Sequence, residues 1–494
     1  MNLRIVLVFV LSSALSAWMH RDILDSDIRG LHDWRQSMTM WNIRNFVHYD
    51  NDIKSPRLSS FNKTNNNVLR LEYPIMQWGI AQVIRITGVT NEVRLTRISM
   101  YVIGLAGLVA FFLLLCAMAF PPWVALAGTV LLQFNPLLYF YTVNVLPDLF
   151  ALSVSLWYIY FSFLYFRDRR WWQLLAAALA LGVATLAKLP FAMLGIVGGV
   201  YIFTHLIRNR RIDWSVVLFA AVHLLCAVPA YRWYSWVMAY WHNSPIQYGI
   251  FGPNTSGESY QTIVDYFLNQ YLPFDLNSPA VWGFFVLGIF LPARRNAPVP
   301  YARYVWGMAV VTLLWATLQA NTIELIHDYY LLPLLPWMYI VVTAGVGRVW
   351  AWATGRTDWV RTVSIGAIAA GLLAAPVAAS YLATPKWDLV IGSYYGDLKD
   401  VHRYRKDLRA VTDDDDLVIV LNDPTMQVFT WLIRKRGYAF ANNHVQPHWI
   451  DDMRRHGATH LYSNSRRIDQ DSAFQTRFDS LILERGDIKV YRLK

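Results

Sequence analysis

Ser99-Met-Tyr-Val-Ile-Gly-Leu-Ala-Gly-Leu-Val-Ala-Phe-Phe-Leu-Leu-Leu-Cys-Ala117 is a run of nineteen residues without a charge. As a helix it is long enough to cross a hydrocarbon core of about 30 Å, and a helix is the form that satisfies its own backbone there. Similar segments are read at 122–140, 148–166, 173–187, 191–207, 214–231, 281–293, 304–320, 331–347 and 362–382, after a first span from Ile5 to Trp18. About eleven spans result. The whole chain agrees: 494 residues, 55% hydrophobic and 15% aromatic, with a mean hydropathy of +0.29, are too apolar for a soluble enzyme of this size.

Beyond residue 382 charged residues become frequent and no spanning segment remains. The expected fold is therefore a polytopic α-helical membrane protein, residues 1–382, with a soluble α/β domain at 383–494. In the latter, β-rich runs at Leu417–Leu421 and His460–Ser463 alternate with helix-like stretches at Met426–Arg434 and Ile450–His456. The Asp413–Asp416 run reads as a solvated turn before a strand, because adjacent carboxylates do not converge on one ion. Cys116 and Cys226 both lie in hydrophobic spans and exclude a disulfide framework or a cysteine metal site. Arg4 before the first span and a small-residue stretch near Ala14 leave a cleaved signal peptide as the competing reading there; a retained helix is preferred, since it anchors the polar loop after it.

The net charge of +11 raises nucleic acid as a partner, and its placement argues against one. Arg167, Arg169 and Arg170, then Arg208, Arg210 and Arg211, then Arg294, Arg295 and Arg303, then Arg348, Arg356 and Arg361 fall in every second loop. This is the positive-inside pattern. It puts the loop 20–96, segment 232–279, the connection around His327 and the C-terminal domain on the outer side of the membrane.

The outer loop carries two helix-period stretches, Trp34–Val47 and Tyr73–Ile86, expected to lie along the membrane interface. It opens with Gly30-Leu-His-Asp-Trp-Arg-Gln36. Ionisable groups at a membrane mouth are costly to desolvate, so they mark a site. Asp33, among His32, Trp34 and Arg35, is the candidate general base, and it also fits as a helix cap. Asp22, Asp25 and Asp27 read as solvated. Glu72, with Tyr73 and Pro74, fits a helix start or a second carboxylate that orients the acceptor. Asp148 opens a span as a cap or site residue, and Lys188 and Arg232 are outer-edge cations suited to a phosphate or to the headgroups. His327, Tyr329 and Tyr330 precede a proline-interrupted helix and can donate hydrogen bonds to a phosphate.

Taken together these motifs resemble the GT-C glycosyltransferases, in the bacterial branch similar to protein O-mannosyltransferases and the lipid A aminoarabinose transferase. The resemblance rests on HDWRQ at 32–36, EYP at 72–74, the PD pair at 147–148, Lys188 and HDYYLLPLLP at 327–336. It implies a sugar on a polyprenyl phosphate as donor, transfer on the outer face to a lipid, glycan or protein acceptor, and Asp33 in the acidic first-loop motif. Relatives often carry two adjacent acids there, whereas His32 precedes Asp33 here, which weighs against a carboxylate-bound metal; no cofactor is assigned and a divalent cation stays open. A transporter or flippase of a lipid-linked saccharide is the alternative, but it calls for charged or broken helices near the midplane and an inverted repeat, neither of which is found. A non-catalytic scaffold has no need of Asp33.

Overall fold

A computed structural model of the chain describes residues 3–61, 66–210, 214–240, 260–290, 306–307, 309–310, 312–314, 327–354, 359–388 and 398–494. The chain divides into two compact units. One comprises Met1–Asp25, Leu71–Met76 and Arg94–Thr384, the other Ser26–Arg70, Gln77–Val93 and Pro385–Lys494.

The first unit is helical. Among the described residues six helices are long and apolar enough to cross a membrane: Glu92–Ala117, Pro147–Asp168, Leu189–Ile207, Trp214–Tyr240, Asp328–Thr354 and Trp359–Asp388. Leu3–Met19, Pro122–Gln133 and Trp171–Ala187 are apolar but shorter. The expected eleven spans are thus not all present as such. The stretch read as 122–140 is broken: one helix stops at Gln133, and Asn135 starts another, Pro136–Tyr141, by accepting the Leu138 N–H at 2.9 Å. The segment at 281–293 appears as the short helix Trp282–Ile289, and most of 304–320 lies outside the described residues.

Small residues set how closely these helices pack. A Cβ on Gly182 would sit 2.5 Å from the Cys226 carbonyl oxygen, and one on Gly345 would sit 1.8 Å from that of Phe284. Bare glycine backbone is what lets the neighbours approach, the usual solution where lipid supplies no hydrophobic drive between helices.

In the second unit, β1 (Leu417–Val420), β2 (Arg436–Ala439), β3 (Ala458–Ser463), β4 (Phe478–Arg485) and β5 (Ile488–Leu493) form one sheet of order β2-β1-β3-β5-β4. β1 is parallel to β2 and β3, while β5 is antiparallel to β3 and β4. Both faces are covered, which is why β1 reads as an unbroken Leu-Val-Ile-Val run. Leu398, Val401, Leu408, Phe429 and Leu432 fill one side; Ile450, Met453, Ile468 and Phe474 fill the other.

Loop residues complete this unit. Trp34 packs on the first cluster and Phe61 on the second. The Gly437 N–H donates to the Ser59 carbonyl at 3.0 Å, and the Phe61 N–H donates to the Gly437 carbonyl at 2.7 Å, so residues 59–61 extend the β2 edge. The helix read at 34–47 runs Asp33–His48 and is buried on most of its faces, including Gln36, Ser37, Thr39, Met40, Trp41 and Asn45. It is an element of this α/β unit, not an amphipathic helix with one polar face, and some of its polar side chains donate to the loop backbone, as Gln36 does to the Leu31 carbonyl at 3.2 Å and Asn45 to the Arg57 carbonyl at 3.1 Å.

Candidate functional site

In the second unit, tight backbone geometry precedes Asp33. Gly30 has φ +82°, and a Cβ there would fall 2.5 Å from the Lys386 carbonyl oxygen. His32 follows in the left-handed region, φ 59°, an uncommon state for a residue with a side chain. The chain then enters the helix at Asp33, whose N–H donates to the Gly30 carbonyl at 3.1 Å. This first-turn position favours a carboxylate.

His32, Asp33 and Arg35 are all buried. Asp33 Oδ2 has no hydrogen-bond partner among the described residues. Burial pushes the Asp33 carboxyl up to about 7; the Trp34 N–H opposes that rise and the charge of Asp423 adds to it. Asp423 is itself fully buried, accepting from the Thr425 N–H at 3.0 Å and the Phe429 N–H at 2.9 Å, and burial raises its carboxyl too. A buried carboxyl with an open oxygen and a pKa near neutrality is suited to take a proton.

The first unit gathers a second set. The Trp171–Ala187 helix ends at Lys188, which turns extended, φ −157° and ψ 104°, ahead of Pro190. Its ammonium lies 3.4 Å from Asp148 Oδ2 and 5.3 and 5.4 Å from the centres of the Tyr329 and Tyr330 rings. Asp148 is almost wholly enclosed in the first turn of the Pro147–Asp168 helix. The His327 ring sits 5.6 Å from Tyr329 and 6.2 Å from Tyr330. Asp328 accepts a hydrogen bond from the Tyr141 hydroxyl.

The Glu72-Tyr-Pro74 segment docks beside this cluster. The Tyr73 N–H donates to the Leu186 carbonyl at 3.2 Å, and its ring meets Trp233 edge-on at 4.8 Å. Trp233 Nε1 in turn donates to the Leu71 carbonyl at 3.1 Å. Glu72 is buried. Arg232, next in sequence to Trp233, is exposed and is not drawn in.

Thus Tyr73, Asp148, Lys188, His327, Tyr329 and Tyr330 converge within one unit, while His32, Asp33 and Arg35 share the first turn of one helix in the other. Tyr141 and Asp423 carry no sequence signal of their own, while Asp328 lies inside the HDYY run at 327–330 without being singled out by it. Asp27 departs from its expected solvated state. It is an enclosed ion-pair partner of Arg409 and Arg434. Asp414 likewise pairs with Lys435 at 2.9 Å, although the turn before β1 stands. For the divalent cation that the sequence leaves open, no three His, Cys, Asp or Glu side chains converge among the described residues.

Residues 72–233, which include Tyr73, Asp148 and Lys188, match the family model of dolichyl-phosphate-mannose-protein mannosyltransferases. The chain is similar in fold to ArnT from Cupriavidus metallidurans, solved in the apo state, at 13% identity and a TM-score of 0.64, covering 99% of this chain and 97% of that one. The same protein solved bound to undecaprenyl phosphate matches at 12% identity, with the same TM-score and coverage. The Archaeoglobus fulgidus oligosaccharyltransferase matches at 11% identity and a TM-score of 0.60, over 93% of this chain and 69% of that one. No curated protein sequence matches. The resemblance to GT-C membrane glycosyltransferases read from the motifs therefore stands.

Proposed function

We propose that this chain, an integral membrane protein with the GT-C fold, is a glycosyltransferase that moves a hexose or pentose from a polyprenyl-phosphate carrier to a lipid, glycan or protein acceptor. Transfer takes place on the outer face, which for a bacterial inner membrane is periplasmic. The observation that carries this reading is a fold shared almost end to end with a protein crystallised with undecaprenyl phosphate.

Asp33 takes the proton from the acceptor hydroxyl or amine. The acceptor atom then forms its bond to the anomeric carbon as the bond from that carbon to the carrier phosphate breaks, and the phosphate leaves with the electron pair. Lys188 offsets its growing negative charge, and His327 and Tyr330 donate hydrogen bonds to its oxygens. Asp148 and Tyr329 hold the Lys188 ammonium. Glu72, Tyr73, His32 and Arg35 shape the sugar and acceptor sites. A single displacement inverts the anomeric centre, which NMR of the product reads directly.

Asp33→Asn tests the mechanism, because it keeps the size and capping ability of the side chain and removes only its capacity as a base. In purified, folded protein, turnover with a polyprenyl-phosphate sugar falls by about 10²- to 10⁴-fold while affinity for undecaprenyl phosphate stays within about twofold. Near-normal turnover rules Asp33 out as the base. An equal loss of donor affinity makes it a binding residue instead.

A further inference from the structure

Asp27 lies six positions before Asp33, and every oxygen of its carboxylate is engaged by the C-terminal chain. Oδ1 accepts from Trp431 Nε1 and Arg434 Nη2, both at 3.0 Å, and Oδ2 accepts from Arg409 Nη2 at 2.7 Å. The Arg434 guanidinium stacks on Trp431 at 3.5 Å, and Trp431 meets Trp41 edge-on at 5.6 Å, in the helix that begins at Asp33. Just beyond Asp27, the Leu31 N–H donates to the Lys386 carbonyl at 2.7 Å, Arg29 Nε donates to the Trp387 carbonyl at 3.1 Å, and Arg29 pairs with Asp388. The five residues leading to His32 are thus tied at both ends to chain more than 350 positions away.

We propose that Asp27, with Arg409, Trp431 and Arg434, is a positioning clamp through which the C-terminal α/β chain holds Asp33 in its dry, base-competent setting. The proposal rests on the reading of Asp33 as general base, and it assigns the C-terminal domain a task that the fold comparison leaves open. The sign of the charges agrees. Burial alone would raise the Asp27 carboxyl, but Arg434 and Arg409 outweigh it and hold it well below the usual carboxylate range, so the clamp stays ionised at any working pH. His402, on the same face as Arg409, is kept neutral by burial and lowered to about 4. On Asp33 itself the facing charge is Asp423.

Losing the Asp27 charge deprives two enclosed guanidiniums of the carboxylate that bridges them, and water then reaches the loop. The experiment uses full-length protein in lipid nanodiscs and compares wild type with Asp27→Asn, Asp27→Glu and Arg409→Gln. A hydrophobic carbodiimide, which labels protonated buried carboxyls, reads the titration of Asp33 by mass spectrometry. Turnover of polyprenyl-phosphate sugars from envelope extract and binding of undecaprenyl phosphate are read in parallel. For Asp27→Asn the Asp33 labelling midpoint falls by at least about one pH unit and turnover falls by roughly 10- to 100-fold, with undecaprenyl phosphate affinity within about twofold. Asp27→Glu recovers much of both. Arg409→Gln, which leaves Arg434 and Trp431 on Asp27 and serves if Asp27→Asn does not fold, moves both in the same direction by less. A lowered melting temperature with an unmoved Asp33 midpoint in the folded variants overturns the clamp. An Asp33→Asn control that retains turnover overturns the base assignment instead, whatever the midpoint does.

Discussion

Asp33 carries opposing demands: ionised to act as a base, yet buried. The linkage fixes the pH behaviour. With its carboxyl raised from 3.8 to about 7 in the folded state, kcat/KM is expected to rise with pH through about 7 and to lose about tenfold for each unit below it. The same shift costs stability at high pH. Folding stability is full below the unfolded value and is lost as pH climbs through about 7, an upper bound of about 4 kcal/mol for a shift of this size. Asp33→Asn should therefore raise the melting temperature more at pH 8 than at pH 5 while lowering turnover about 10²- to 10⁴-fold, and an equal change at both pH values would contradict the raised carboxyl. Lys188 makes a separate prediction. Charge-assisted contacts to phosphate contribute about 1.5 to 3 kcal/mol, so Lys188→Ala should weaken undecaprenyl phosphate binding by about tenfold or more. Because it also leaves Asp148 buried and unpaired, the double variant with Asp148→Asn should melt higher than the single one without regaining affinity.

Two elements depend on what a single residue type supplies, one through its backbone and one through its side chain. Gly30 is one, since its positive φ and the Lys386 and Trp387 backbone against it leave no room for a Cβ. Gly30→Ala should lower the melting temperature and slow transfer together, because Asp33 N–H is held by the Gly30 carbonyl. Asn135 is the other. Besides capping Pro136–Tyr141, it donates from Nδ2 to the Asp275 and Leu276 carbonyls, each at 2.9 Å, from a fully buried position. Asn135→Ala removes a cap and leaves buried carbonyls unmet, a loss of about 2 kcal/mol or more, visible as a lower melting temperature in detergent. The break at Asn135 also explains why hydropathy merged two helices into one span. Leu137, Leu138 and Phe140 continue the apolar run, and a helix restart leaves no mark on an average over hydrophobicity.

For the whole molecule, the basic loops predict orientation. In a chain with Cys116 and Cys226 replaced by alanine, a cysteine at Asn464 should react with a membrane-impermeant thiol reagent in intact spheroplasts and one at Asn209 should not; equal labelling would move the proposed site to the wrong side. The sequence by itself determined that the chain is a membrane protein with an α/β C-terminal region, because hydrophobic length and the period of short β-rich runs are local properties that transfer free energies read directly. It also singled out Asp33, Lys188 and the His327-Asp-Tyr-Tyr330 run as candidates, because ionisable groups in short motifs next to apolar segments are visible without a fold. Only the tertiary structure decided that residues 26–70 and 77–93 cluster with 385–494, that Asp148 lies against Lys188, and that Asp27 is clamped by Arg409 and Arg434. Those facts are pairings across 40 to more than 380 positions, and nothing in the residues around Asp27 distinguishes a solvated aspartate from one whose partners arrive from the far end of the chain. Its ion pairs, and with them the setting proposed to keep Asp33 dry, come into being only when the two distant segments close on each other.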